Sequence, residues 1–112
     1  MNLLVTHLTS EMEGSKGGYY RRMDFAGMNE FGETKKYYTY VDESNKNYIN
    51  KGWDQIVEMY DNMPLINLVV SMPNFKFKNK AKGMISADCD VRLHKELTAE
   101  INADILKQVE NV

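Results

Sequence analysis

The sequence has few residues that carry catalytic or metal chemistry: one cysteine, Cys89, and two histidines, His7 and His94, in 112 residues. A single cysteine excludes an internal disulfide and is typical of reducing compartments. The two histidines are far apart in the chain, and neither forms a metal-spacing motif with Cys89. We therefore expect no catalytic site, no metal and no other cofactor, so an enzyme is not favoured.

Long hydrophobic runs are also missing. Residues 1–14 contain no basic leader, and their apolar run is too short and interrupted for a signal peptide or a membrane span. This predicts a cytoplasmic protein with no membrane partner. Hydrophobic residues make up 43% of the chain and charged residues 27%, as in ordinary globular proteins. Residues 1–112 are therefore predicted to form a single domain with one core.

The net charge of −2 gives no general attraction to nucleic acid. Its distribution along the chain is uneven. Residues 14–87 carry eleven Lys and Arg against eight Asp and Glu, whereas both flanking segments are acidic. The middle of the chain can therefore supply a modest basic surface if folding gathers its cations on one face.

Alternating or continuous apolar patterns bounded by Gly, Pro and Asn predict five strands. They lie at residues 2–12, 19–28, 35–42, 65–72 and 84–93. The last has the cleanest alternation, with five apolar residues on one face: Ile85, Ala87, Cys89, Val91 and Leu93. We expect these five to share one core with Trp53, Ile56 and Leu68.

Two helices are predicted where apolar residues recur every three or four positions instead of every second position. Trp53, Ile56, Val57 and Tyr60 follow the i, i+3, i+4, i+7 spacing of a short amphipathic helix that ends by Pro64. A C-terminal helix over residues 98–110 is expected to be capped by Thr98. Its inward-facing residues would be Ile101, Ile105, Leu106 and Val109.

This element order resembles the OB fold, and most closely the OB-fold proteins that bind single-stranded DNA in phage or bacterial replication. The resemblance covers residues 3–95 and places WDQIVEMY where that family has a helix between strands three and four. It implies a mainly β, five-stranded barrel whose bottom is closed by that helix, followed by the C-terminal helix. Oligonucleotides would bind to strands two and three and to the loop joining strands four and five.

Three segments combine flat rings with cations, as single-strand binding requires. Alternation turns Tyr20 and Arg22 outward on the second strand, and Lys36, Tyr38 and Tyr40 outward on the third. In residues 75–82 one face carries Lys76, Lys78 and Lys80 and the other carries the two phenylalanines, so either Phe75 or Phe77 is expected to be exposed. The candidate nucleic-acid-binding residues are Tyr20, Arg22, Lys36, Tyr38, Tyr40, Lys76, Phe77, Lys78 and Lys80.

The leading hypothesis is binding of single-stranded DNA with little sequence preference, as a replication, recombination or repair accessory. RNA stays open as the ligand, and so does a homodimer. The alternative is a protein–protein interaction or oligomerisation module, because strand tyrosines often serve packing and hairpin lysines often protect an edge. A magnesium site at Asp88 and Asp90 is a weaker alternative to an acidic, solvent-facing strand.

Overall fold

A computed structural model describes residues 1–15, 18–27, 35–42, 51–63, 65–86 and 88–110. The protein is mainly β, with a mixed sheet that curls into a half-barrel and short helices against it. The strands are β1 Asn2–Leu8, β2 Met12–Glu13, β3 Tyr19–Gly27, β4 Lys36–Asp42, β5 Leu68–Ser71, β6 Phe77–Asn79, β7 Met84–Ile85 and β8 Arg92–Leu93. The helices are α1 Lys51–Asn62, α2 Lys95–Ile101 and α3 Ala103–Glu110. No helix in these ranges is long and apolar enough to cross a membrane.

The strand order in the sheet is β6-β7-β4-β3-β1-β5-β8, with β2 paired to β3. Every pairing is antiparallel except that of β4 with β7. The register between β1 and β3 shifts between Val5 and His7. This bulge at Thr6 lets both Val5 and Leu8 face the core, although three positions separate them.

The core lies on one face of this sheet, under α1. Met23 and Phe25 of β3 are buried there together with Trp53 and Ile56 of α1. The rings of Phe25 and Trp53 meet edge to face with centroids 6.1 Å apart. The indole of Trp53 donates its Nε1 hydrogen to the carbonyl of Cys89 at 3.0 Å. The buried polar atom of the helix is thereby satisfied, and the helix is fixed to the segment before β8.

The predicted continuous strand over residues 84–93 is wrong. β7 lies between β6 and β4 near one end of the strand order, and β8 pairs with β5 at the other end. The chain between them has to cross from one side of the sheet to the other, so its backbone cannot keep one strand neighbour. Side chains bond two carbonyls of the segment: Thr39 donates to that of Ile85 and Trp53 to that of Cys89, each at 3.0 Å.

The inward-facing residues of this segment were nevertheless predicted correctly where they are described. Ile85, Cys89 and Val91 are buried in the same core as Trp53, Ile56 and Leu68, and Leu93 packs against that core. Ala87 lies outside the described residues. Gly52 at the start of α1 shows how closely this segment approaches, because an added Cβ would lie 1.9 Å from the Val91 carbonyl oxygen.

The fourth predicted strand and the C-terminal helix also need correction. β5 covers only residues 68–71, and Leu65 is 80% exposed. Two helices replace the single one, and His94 is the N-cap of the first, where its Nδ1 accepts from the Leu97 N–H at 3.1 Å. Thr98 lies inside α2 and does not cap it. Its buried hydroxyl accepts a hydrogen bond from the N–H of Val69 in β5.

The inward face of the C-terminal region was predicted correctly in part. Ile105 and Leu106 of α3 pack against the core, whereas Ile101 is 41% exposed. The chain interrupts the helix at Asn102, which is buried, so the single helical period expected over residues 98–110 does not continue through it. The side chain of Val109 lies outside the described residues.

Candidate functional site

The outer face of β3 and β4 carries the first group of candidate residues. Met23 and Phe25 point into the core, so alternation turns Tyr20, Arg22 and Asp24 to the opposite face. On β4 the buried residue is Thr39, which places its two tyrosine neighbours on that same outer face. The register sets Arg22 opposite Tyr40, Asp24 opposite Tyr38, and Ala26 opposite Lys36.

Three tyrosines on this face contact one another and are called the tyrosine ladder: Tyr20, Tyr40 and Tyr38. The rings of Tyr20 and Tyr40 have centroids 5.5 Å apart and planes at 83°. Those of Tyr40 and Tyr38 are 5.7 Å apart at 79°. All three side chains are half-buried. Edge-to-face packing orients the rings in a row and leaves part of each exposed to solvent.

Arg22 is held beside this ladder by two interactions. Its Cζ lies 4.2 Å from the centroid of the Tyr38 ring, a cation–π distance. Its Nε donates to Oδ1 of Asp24 at 2.8 Å. That hydrogen bond raises the pKa of Arg22 above its ordinary value. The guanidinium therefore stays charged, and it covers one face of the Tyr38 ring.

A groove of about 580 Å³ opens next to the ladder, a size within the range of about 300–1,000 Å³ usual for ligand sites. Its polar lining comes from three strands and one turn: Thr6, Arg22, Asp24, Lys36, Tyr38 and Lys82. Three cationic side chains thus face the groove against a single carboxylate, and this carboxylate is paired with Arg22. The groove combines an aromatic ring with an excess of positive charge.

Lys82 reaches the groove because the turn between β6 and β7 is fixed against β4. Gly83 has φ +71°, and an added Cβ would lie 3.0 Å from the carbonyl oxygen of Lys36, so glycine suits this position. The Gly83 carbonyl accepts from the N–H of Tyr38 at 3.1 Å. The turn therefore places Lys82 near Lys36. Alternation in the sequence did not identify Lys82 as a site residue. Its position depends on this turn, and Gly83 was the only sign of the turn in the sequence.

The remaining candidates lie on the hairpin itself. Phe77 packs against Phe75 and Tyr37, with ring centroids 4.9 Å and 5.7 Å away. Both phenylalanines are half-buried, so neither of the two expected alternatives is correct. The ring cluster holds β6 against β4 and leaves Phe77 less open than a free stacking residue.

The hairpin lysines differ in their surroundings. Lys76 lies 3.9 Å from Asp88, an exposed ion pair. Lys78 and Lys80 are exposed, and the described lining of the groove contains Lys82 instead of these three. Among the predicted site residues, the structure brings together Tyr20, Arg22, Lys36, Tyr38 and Tyr40.

The carboxylates considered for magnesium have other neighbours. Asp88 lies near Lys76, and Oδ2 of Asp90 accepts from the Asn74 amide at 3.3 Å. Across the described ranges, no cluster of three or more His, Cys, Asp or Glu is arranged to hold a metal ion.

Comparisons with protein-family models, with curated proteins and with solved structures give no match for this chain.

Proposed function

We propose that the protein binds single-stranded nucleic acid, DNA in the first place, on the outer face of β3 and β4. The observation that carries this proposal is the tyrosine ladder lying beside a groove with three cationic side chains. Bases stack on aromatic rings whatever their sequence, and phosphates are attracted to lysine and arginine. The ladder would therefore hold bases, while Arg22, Lys36 and Lys82 would hold the backbone.

The same arrangement favours a single strand over a duplex. Paired bases present only their edges in the grooves of a duplex, where helices and ribbons read them. A row of rings on a sheet surface has no such projecting element. It offers the exposed parts of its rings, on which only unpaired bases can stack.

We further propose that the half-barrel is OB-like. The spatial order β5-β1-β3-β4 is that of a Greek key, with three successive strands and a fourth that returns beside the first. The OB fold is a partly open, five-stranded Greek-key barrel. In this proposal β7 and β8 are two halves of the fifth strand, and α1 is the helix between the third and fourth. The β3–β4 face is then the one on which OB domains bind oligonucleotides.

Binding with little sequence preference suits an accessory role in DNA replication, recombination or repair, and a cytoplasmic location fits that role. The groove is open and is lined by several cations, and cations attract the phosphates of any sequence. The ladder tyrosines could equally pack against a protein partner or a second copy of the chain. Oligonucleotide titration separates the two uses of this face.

The test is fluorescence anisotropy with labelled oligo-dT and a labelled duplex of equal length, each at two salt concentrations. We expect oligo-dT to bind more tightly than the duplex, and its affinity to fall as salt rises because counterions are released from the strand. Absence of oligo-dT binding at low salt overturns the proposal and favours the protein-partner alternative. Tight duplex binding overturns the single-strand assignment.

A further inference from the structure

Arg22 contacts the tyrosine ladder directly, yet its charge is already partly engaged. Asp24 accepts its Nε–H at 2.8 Å, and the Tyr38 ring lies under its guanidinium at 4.2 Å. The two residues are on one strand, two positions apart, so this pair needs no other element to form. In this arrangement Arg22 offers less positive charge to an anion than Lys36 or Lys82 does.

The pair also limits access to the ladder. A guanidinium over Tyr38 covers a face on which a base would otherwise stack. Both side chains of the pair are partly open to solvent, with Arg22 41% and Asp24 29% exposed. An ion pair between exposed side chains is weak, because solvent screens it. A phosphate arriving in the groove can therefore compete for the guanidinium at little cost.

We propose that Arg22 changes partner when a nucleic-acid strand binds: a backbone phosphate replaces the Asp24 carboxylate as its acceptor. Asp24 then acts as a restraint on affinity, because it neutralises Arg22 in the free protein and repels phosphate in the groove. The same exchange moves the guanidinium and uncovers Tyr38. This inference rests on the proposed function and names the residue pair that regulates that site.

The test is substitution Asp24→Asn, which keeps the shape of the side chain and removes its charge. With labelled oligo-dT at low salt, we expect binding about twofold to fivefold tighter than wild type, the range spanned by exposed ion pairs. The slope of log affinity against log salt should stay near the wild-type value, because Arg22 contacts a phosphate in the bound state of both proteins. The matched control is Glu100→Gln, which makes the same charge change on an exposed position of α2. It should leave both quantities near wild type.

A double-mutant cycle separates partner exchange from simple repulsion. In an Arg22→Ala background the gain from Asp24→Asn should shrink, because the guanidinium to be released is absent. Circular dichroism and thermal unfolding check that each variant folds. If wild type binds and Asp24→Asn binds equally or more weakly, the restraint is wrong. If the gain is equal with and without Arg22, partner exchange is wrong. If no variant binds oligo-dT, the proposed function fails, and the inference fails with it.

Discussion

Asn102 pairs with the backbone of Asn67 in both directions. Its Oδ1 accepts from the Asn67 N–H at 2.8 Å, and its Nδ2 donates to the Asn67 carbonyl at 2.5 Å. One helical turn earlier, the hydroxyl of Thr98 does the same with Val69, at 3.0 Å and 3.3 Å. Thr98 in α2 and Asn102 at its C-terminal end thus bond backbone groups of β5 and its approach, as a neighbouring strand would. This covers part of a sheet edge that would otherwise be open to pairing.

Replacing Asn102 with alanine should destabilise the protein by about 1–3 kcal/mol, because the Asn67 N–H and carbonyl lose their partner in a half-buried place. Urea unfolding followed by circular dichroism measures the change. The control is Glu100→Ala on the exposed face of α2, which should change stability by less than about 0.5 kcal/mol. Equal stability of the Asn102 variant and wild type would show that water replaces the amide at no cost.

Thr98 and Asn102 also show where sequence reasoning reaches its limit. Thr98 precedes a helical period, which favours a cap, and nothing local indicates that a strand edge lies opposite it. The same limit applies to residues 84–93. Alternation reports which side of the chain faces the core, and this was right for Ile85, Cys89 and Val91. It does not report which strand the backbone pairs with, so the break between β7 and β8 was missed.

The candidate site was predictable to a similar degree. Alternation around the buried Met23 and Phe25 was enough to turn Tyr20 and Arg22 outward, and Val41 served the same purpose on β4. The position of Lys82 was not predictable in this way. It depends on the left-handed backbone at Gly83 and on a hydrogen bond between Gly83 and Tyr38, both of which require the tertiary pairing of β7 with β4.

The ion pair between Arg21, on the core side of β3, and Asp61 makes the stability of the protein depend on pH. The guanidinium of Arg21 forms two hydrogen bonds to Asp61 at the end of α1, at 2.6 Å and 2.8 Å. These lower the pKa of Asp61 below its ordinary value. A lowered pKa in the folded state means that the pair stabilises the protein above the unfolded-state pKa of Asp, about 3.9, and that this contribution is lost as pH falls through the folded-state value.

The substitution Asp61→Asn tests this. It should lower stability slightly at neutral pH, because Asp61 is 47% exposed and solvent screens the pair. The difference from wild type should decrease as the pH is lowered below about 4. Thermal unfolding at a series of pH values measures it, with Asp54→Asn at the exposed start of α1 as the control for loss of one carboxylate. A difference that grows on acidification would contradict the assigned sign.

Substitutions in the tyrosine ladder should weaken oligo-dT binding by an amount that does not depend on salt. Tyr38→Ala and Tyr40→Ala should each weaken oligo-dT binding by about 1–3 kcal/mol at both low and high salt, since stacking releases no counterions. Tyr19→Ala is the matched control, because Tyr19 is 53% exposed and stands outside the ladder. Variants of Tyr38 and Tyr40 that fold normally and bind as wild type does would make these rings packing residues.

Substitutions of the lysines should weaken binding by an amount that depends on salt. They also distinguish a strand bound in the groove from one bound along the rest of the hairpin. Lys36 and Lys82 line the groove, whereas Lys78 is an exposed residue of β6 outside its described lining. Lys36→Ala and Lys82→Ala should each weaken binding mainly at low salt and reduce the slope of log affinity against log salt by about 0.7, the amount expected for one phosphate contact on a single strand.

Lys78→Ala removes the same charge and is the comparison that decides between the two surfaces. If the strand follows the groove, the Lys78 variant keeps the wild-type slope while the Lys82 variant loses part of it. If the strand instead runs along the hairpin face shared by Lys76, Lys78 and Lys80, as alternation alone predicts, the order is reversed. Long-range attraction changes affinity for all of these variants through net charge, but salt screens it within about 10 Å at 0.1 M. A difference in slope between Lys78→Ala and Lys82→Ala therefore reports direct contact, and its sign identifies the surface on which the phosphates lie.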